Sequence, residues 1–292
     1  YLGELGYAFA NVNPNPQLDR EKHEADMTFY VDPSRRVYVR RIQMGGNTRT
    51  RDAVIRREMR QQEAAWYDAG DIRMSRDRID RLGYFNAVDV KTEPVPGSPD
   101  QVDVNVNVTE KPTGMVSLGI GYGSADKAIF SAGLSENNIF GSGTNMSLQV
   151  STSSIQSSAV LEQTDPYFTK DGISRTFSLY YRLTRPWLGD TGNYAVKTMG
   201  VGLTFGVPIS EFDRIFAGAN LEHNEVNLYS NSPRAYTDYV NEYGRTTNTV
   251  IWNVGWSKDT RDSALAPTKG NYSRVRLDLG TGNLKYGMLT GQ

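Results

Sequence analysis

After Thr113 the chain places an apolar residue at every second position in nine successive segments, and this constrains its fold more than any other feature. The segments carry Val116, Leu118, Ile120 and Tyr122; Phe130, Ala132 and Leu134; Met146, Leu148 and Val150; a weaker pair, Ala159 and Leu161; Phe177, Leu179, Tyr181 and Leu183; Val201, Leu203 and Phe205; Ile215, Ala217, Ala219 and Leu221; Val250, Trp252, Val254 and Trp256; and Val275, Leu277 and Leu279. Residues two apart on an extended chain share a face, so each segment reads as a strand with one apolar side. A tenth strand is expected from about Lys285, and no helical period interrupts the series. A soluble β-sandwich alternates equally well.

Two features favour a transmembrane antiparallel β-barrel over a sandwich. The polar faces are Ser, Gly, Asn, Gln and Thr with some Arg, poor in Lys and Glu, which suits a packed, wet lumen. The connections also fall into two sets. Those after the odd strands include RPWLGDTGNY and the polar stretch from Asn224 to Asn248; the opposite set is NNIFGSG, DPYFTKDG, PISEF and the longer DTRDSALAPTKG. No window approaches the roughly 20 consecutive apolar residues of a membrane helix, which leaves a barrel open because its strands are only half apolar. A net charge of -1 gives no global pull toward nucleic acid, and the lack of Cys excludes a disulfide scaffold or a thiolate-bound metal. The chain starts without Met and stops inside an alternating segment, so it reads as a fragment.

The first third has different periods. VYVRRIQMGG reads as a short strand and NTRTRDAVIRREMRQQ as a helix, with Asn47, Thr48 or Thr50 as caps and Asp52 in the first turn. A second helix is expected from Asp71 to Leu82, closed by Gly83. FNAVDVKTEPV and QVDVNVNVTE then form a hairpin around PGSPD, with Val102, Val104, Val106 and Val108 on one face. The order β-α-α-β-β describes a small α+β module. ELGYAFANVNPNP is echoed by RLGYFNAVDVKTEPVP, so tandem modules are expected, the first one cut.

GNTRTRDAVIRREMRQQEAAWY, DRLGYFNAVDVKTEPVPGSPDQVDVNVNVTEKPTG, ENNIFGSG and DPYFTKDGIS resemble the last POTRA domain and first barrel strands of the BamA family of outer-membrane protein assembly factors. The resemblance runs through essentially the whole chain. It implies three parts: the end of a preceding POTRA domain at 1-36, the last POTRA domain at 37-112, and the start of a barrel at 113-292, of about sixteen strands when complete. It implies a protein in the outer membrane of a Gram-negative bacterium, with its POTRA domains in the periplasm. There it assembles and inserts β-barrel proteins without ATP, as part of a BAM complex. Client strands would pair with the first barrel strand, Val116, Ser117, Leu118, Gly119, Ile120, Gly121 and Tyr122, at a lateral seam against the last. The strand with Phe85, Val88, Val90 and Thr92 would form a POTRA sheet edge offering main-chain groups to unfolded clients, unless a neighbouring domain covers it. Glu58, among Arg56, Arg57 and Arg60, would contact an accessory, BamD-like lipoprotein; a nucleic-acid face or a merely solvated helix face stays open as a reading of the same arginines. Outer-membrane lipid is the remaining partner.

Covalent chemistry finds little support. Gly119, Gly121 and Gly123 superficially form a phosphate-binding loop, but a strand follows where that loop needs a helix. His23 and His223 lack metal-ligand spacing and no Ser-His-Asp set can be assembled, so no enzyme activity, cofactor or metal is expected. The glycines are better read as loosening the first strand. The rival functional reading is a two-partner-type secretion pore exporting a dedicated client through its lumen; a purely structural envelope anchor is a third.

Overall fold

A computed structural model of the 292-residue chain describes residues 2-19, 24-185, 193-261 and 267-292. His23 and the middles of the connections containing RPWLGDTGNY and DTRDSALAPTKG lie outside the described residues. The chain divides into two compact units, Tyr1–Thr113 with Phe140–Ser142, and Gly114–Ile139 with Gly143–Gln292.

In the first unit, β1 (Asn11–Asp19) and β2 (Glu24–Asp32) form an antiparallel hairpin. The sequence echo has a structural counterpart: Gly6 and Gly83 hold the same place in Leu-Gly-Tyr, and both have positive φ, 97° and 72°. The second module runs β3 (Tyr38–Gly45), α1 (Asp52–Arg56), α2 (Ala69–Arg81), β4 (Phe85–Val95) and β5 (Ser98–Glu110). Its sheet order is β3-β5-β4, with β3 parallel to β5 and β4 antiparallel to it. Val102, Val104, Val106 and Val108 point into a core completed by Val37, Val39, Ile42, Val54, Ile55, Ile79, Tyr84 and Phe85. Burying a side chain of this size stabilises by about 1.5–3 kcal/mol, so this core accounts for much of the module's cohesion.

The first helix is shorter than its periodicity predicts. It ends at Arg56, and no side chain caps its start; the amides before it are met instead by Glu110. In α2 the cap is Asp68, which accepts from the amides of Gly70 and Asp71 at 2.6 and 3.2 Å.

The second unit is one ten-stranded antiparallel sheet in sequence order: β6 (Gly114–Gly123), β7 (Lys127–Glu136), β8 (Asn145–Thr152), β9 (Gln156–Asp165), β10 (Ser174–Thr184), β11 (Tyr194–Pro208), β12 (Asp213–Leu228), β13 (Thr246–Asp259), β14 (Tyr272–Gly282) and β15 (Tyr286–Gly291). All ten coincide with the alternating segments. Two expectations fail. A helix, α3 (Arg234–Tyr243), stands inside the stretch read as a polar loop, whose two ends, 224-228 and 246-248, are strand. Three of the connections expected to be the longer set are only three residues, 124-126, 153-155 and 283-285, so loop length does not by itself identify the outer side.

Candidate functional site

β6 is an outermost strand of the sheet, hydrogen-bonded on one side to β7 with Val116 opposite Leu134 and Ile120 opposite Phe130. Leu118 and Ile120 share the apolar side of this strand with Val116 and Tyr122. On the opposite face Ser117 faces Gly133 and Gly119 faces Ser131, so this part of the wall carries almost no side-chain bulk. A Cβ at Gly119 would stand 2.4 Å from the Ser131 hydroxyl, whereas one at Gly121 meets nothing closer than 3.7 Å. The strand thus has one apolar side and little side-chain packing to hold it.

The apolar sides join across the sheet. Val116, Leu134, Leu148, Leu161, Leu179, Val201, Leu221 and Val250 are successive cross-strand partners, an unbroken apolar row over eight strands. Such a row facing outward suits lipid.

The other face is polar and concave, and β9 to β15 line a cavity of about 490 Å3 there. Tyr180 donates to Glu222 at 2.9 Å, Asn224 donates to the same carboxylate at 2.7 Å, and Thr198 to Asn224 at 2.7 Å. Tyr180 lies over its cross-strand partner Gly200, where a Cβ would stand 2.2 Å from the ring. Arg276 pairs with the buried Asp278 at 2.7 Å. Sequence reasoning missed this network, although its members share the parity opposite to the apolar row. At the rim, Tyr236 of α3 stacks on Tyr194 with ring centroids 3.7 Å apart, its hydroxyl donating to Tyr194 at 2.7 Å.

In the POTRA module β4 is a sheet edge. The opposite edge, β3, is covered: Val39 exchanges backbone hydrogen bonds with Ala64 and Ala65, and Val37 accepts from Tyr67. The strand with Phe85, Val88, Val90 and Thr92 thus lies at an edge, and only its main chain and alternate side chains face outward. Phe85 and Val88 are buried and Val90 packs against the core, so their side chains face inward. A strand added to β4 would meet its backbone and the exposed Asp89, Lys91 and Glu93.

Glu58 also differs from expectation. It lies beyond the end of α1, is 4% exposed, and accepts from Arg78 of α2 at 2.8 Å, with Arg57 at 4.0 Å. Arg56 is exposed and turns to Glu63 and the Ile42 carbonyl, while Arg57 and Arg60 are half-buried. The carboxylate therefore organises the module from within, and Arg78 is the partner that sequence spacing did not reveal.

At the end of β5, Glu110 accepts from the amides of Thr48, Arg49 and Thr50 at 3.1, 2.9 and 2.6 Å and from the Thr48 hydroxyl at 2.8 Å. Burial pushes its carboxyl up, but the hydrogen bonds from Thr50, Arg49 and Thr48 outweigh it and hold the pKa at about 2. Among the described residues no group of His, Asp and Glu is arranged to hold a metal ion, and no helix is long and apolar enough to cross a membrane.

Comparison with known proteins places these features. The Neisseria meningitidis serogroup B outer membrane protein assembly factor BamA is 36% identical over 288 residues, covering 95% of this chain and 36% of that protein. BamA of Nitratidesulfovibrio vulgaris is 30% identical over 282 residues, covering 97% and 34%. The chain thus spans about a third of the length of these relatives. The crystal structure of BamA from Haemophilus ducreyi lacking POTRA domains 1-3 superposes with a TM-score of 0.77 at 29% identity, over 96% of this chain and 55% of that one. CdiB from Acinetobacter baumannii superposes at 0.58 with 14% identity, covering 98% and 52%, and shares the fold. The POTRA family, described as a surface antigen variable number repeat, matches residues 37–111. Because the Omp85 superfamily domain then matches 138–292, more than half of the chain, the chain belongs to the Omp85 superfamily.

Proposed function

We propose that the protein containing this chain assembles β-barrel proteins and inserts them into the outer membrane without ATP. The barrel lies in that membrane, the POTRA domain lies in the periplasm, and the chain is not an enzyme. The observation that carries the reading is β6: a first strand with glycine at alternate positions, almost no side-chain bulk against β7 and an apolar row continuing from it. A client strand pairing there exchanges unpaired backbone groups, each costing several kcal/mol in lipid, for a hydrogen-bonded ladder. Client folding itself supplies the energy. The lateral seam between β6 and the last strand of the complete barrel is where pairing begins, and the open edge of β4 collects clients through main-chain bonds that demand little of their sequence.

A BamD-like lipoprotein docks on the arginine-bearing end of α1 and the turn after it. Arg56 is its exposed contact, and Glu58 acts by fixing that turn against Arg78.

Depletion of the full protein in cells tests the assembly role. Several unrelated outer-membrane barrels should fall together, measured by quantitative proteomics of the outer-membrane fraction. Loss of one exported client with other barrels unchanged would instead identify a secretion pore, and no change in either would identify a structural anchor.

A further inference from the structure

The outward side of β10 reads Arg175, Phe177, Leu179, Tyr181, Leu183, then Arg185 one residue past the strand. Two arginines thus bound an apolar stretch. At about 3.3 Å per residue the ten-residue span is about 33 Å, and a tilt of about 40° projects it to about 25 Å along the membrane normal. That equals the height of a barrel's apolar band, so Arg175 stands at its boundary. The β9–β10 connection is on the side from which β6 enters the sheet, which is the periplasmic side.

The surroundings of Arg175 are built rather than loose. Its guanidinium lies over the Phe168 ring, 4.5 Å from the centroid, and Phe168 packs against Phe205 with centroids 6.0 Å apart. Phe205 is also the cross-strand partner of Arg175 on β11. On the other flank the partner is Asp165, whose carboxylate accepts from the Tyr167 amide at 3.1 Å and so closes the turn. Among the described residues no carboxylate lies within 4.0 Å of Arg175 or of the exposed Lys170 in the same turn, whereas outward Lys258 has Asp213 at 4.0 Å. An arginine at this depth needs an anion or water, and stacking on Phe168 leaves its planar fork directed along one surface.

We propose that Arg175, held on Phe168 and Phe205 and assisted by Lys170, binds the phosphodiester of an anionic phospholipid in the periplasmic leaflet, with the lipid chains lying along Phe177 and Leu203. Phosphate accepts two parallel N–H bonds from a guanidinium, a geometry that Lys cannot reproduce. Lys170 disfavours a headgroup carrying its own ammonium. The inference rests on the lipid-facing side of the sheet and is independent of client assembly.

The test is native mass spectrometry of the full-length protein, taken from nanodiscs containing equal phosphatidylglycerol and phosphatidylcholine. Wild type should retain phosphatidylglycerol preferentially. Arg175→Leu, whose side chain suits a lipid-facing position, should lower that retention by about fivefold, and Arg175→Lys should fall between them. Lys258→Gln should match wild type. Heat-modifiable gel mobility verifies that each barrel is folded. Equal retention of both lipids by wild type would overturn the proposal. So would an Arg175→Leu barrel that keeps its phosphatidylglycerol, because the stacking would then serve only to hold the turn.

Discussion

Four donors from residues 48–50 converge on the Glu110 carboxylate, some 60 positions away in sequence, where the local pattern had pointed to a side-chain cap on α1. A carboxylate held below its ordinary value of 4.5, at about 2, stabilises the folded state fully above pH 4.5 and loses that contribution as the pH falls toward 2. Glu110→Gln should therefore cost about 1–2 kcal/mol at pH 7, after allowance for solvent screening of a half-exposed group, and almost nothing near pH 2. Urea titrations of both proteins across this range measure it; a pH-independent difference would show that shape, not charge, matters at this position. Glu58 gives a second expectation. Glu58→Lys should detach the lipoprotein and destabilise the module by about 2–3 kcal/mol, since it leaves Arg78 beside a like charge. Glu58→Arg combined with Arg78→Glu should restore both, read by co-purification and thermal melting. Recovered stability without recovered binding would make Glu58 a direct contact. The Val102 to Val108 face was legible because alternation is local; Glu110 and Arg78 were not, because their partners come from tertiary packing.

Each strand of the second unit was legible because one outward face must stay apolar along its length. Leu148 and Gln149 are neighbours on β8 with opposite assignments. Leu148 lies in the eight-strand row, while Gln149 pairs with Gly133 and Val160 on the lumen side. Leu148→Arg should cost about 2–4 kcal/mol of barrel stability in vesicles and Gln149→Arg less than about 1 kcal/mol. Equal losses, measured by urea unfolding in lipid, would contradict the assignment of faces. Helices were harder to read. The apolar period continuing to Met59 hid the end of α1 at Arg56. The Tyr236, Tyr239 and Tyr243 spacing of α3 was a helical signal masked by polar neighbours, and its packing on Tyr194 could not be seen in sequence.

At the scale of the molecule, the loosely packed first strand β6 and the polar cavity lined by β9 to β15 offer a client two different routes, along the wall or through the lumen. This chain has no Cys, so single-cysteine variants make the distinction measurable once any cysteine elsewhere in the full protein is replaced. Cysteines at Leu118 or Ile120 of β6, and at Ser178 or Glu162 in the lumen, would be paired with a cysteine in the terminal strand of a client barrel during assembly in vesicles. Pairing along the wall gives disulfides at the Leu118 and Ile120 positions that shift with the client position in steps of two, and none at the Ser178 or Glu162 positions. Disulfides at the lumen positions, with none on β6, would contradict it.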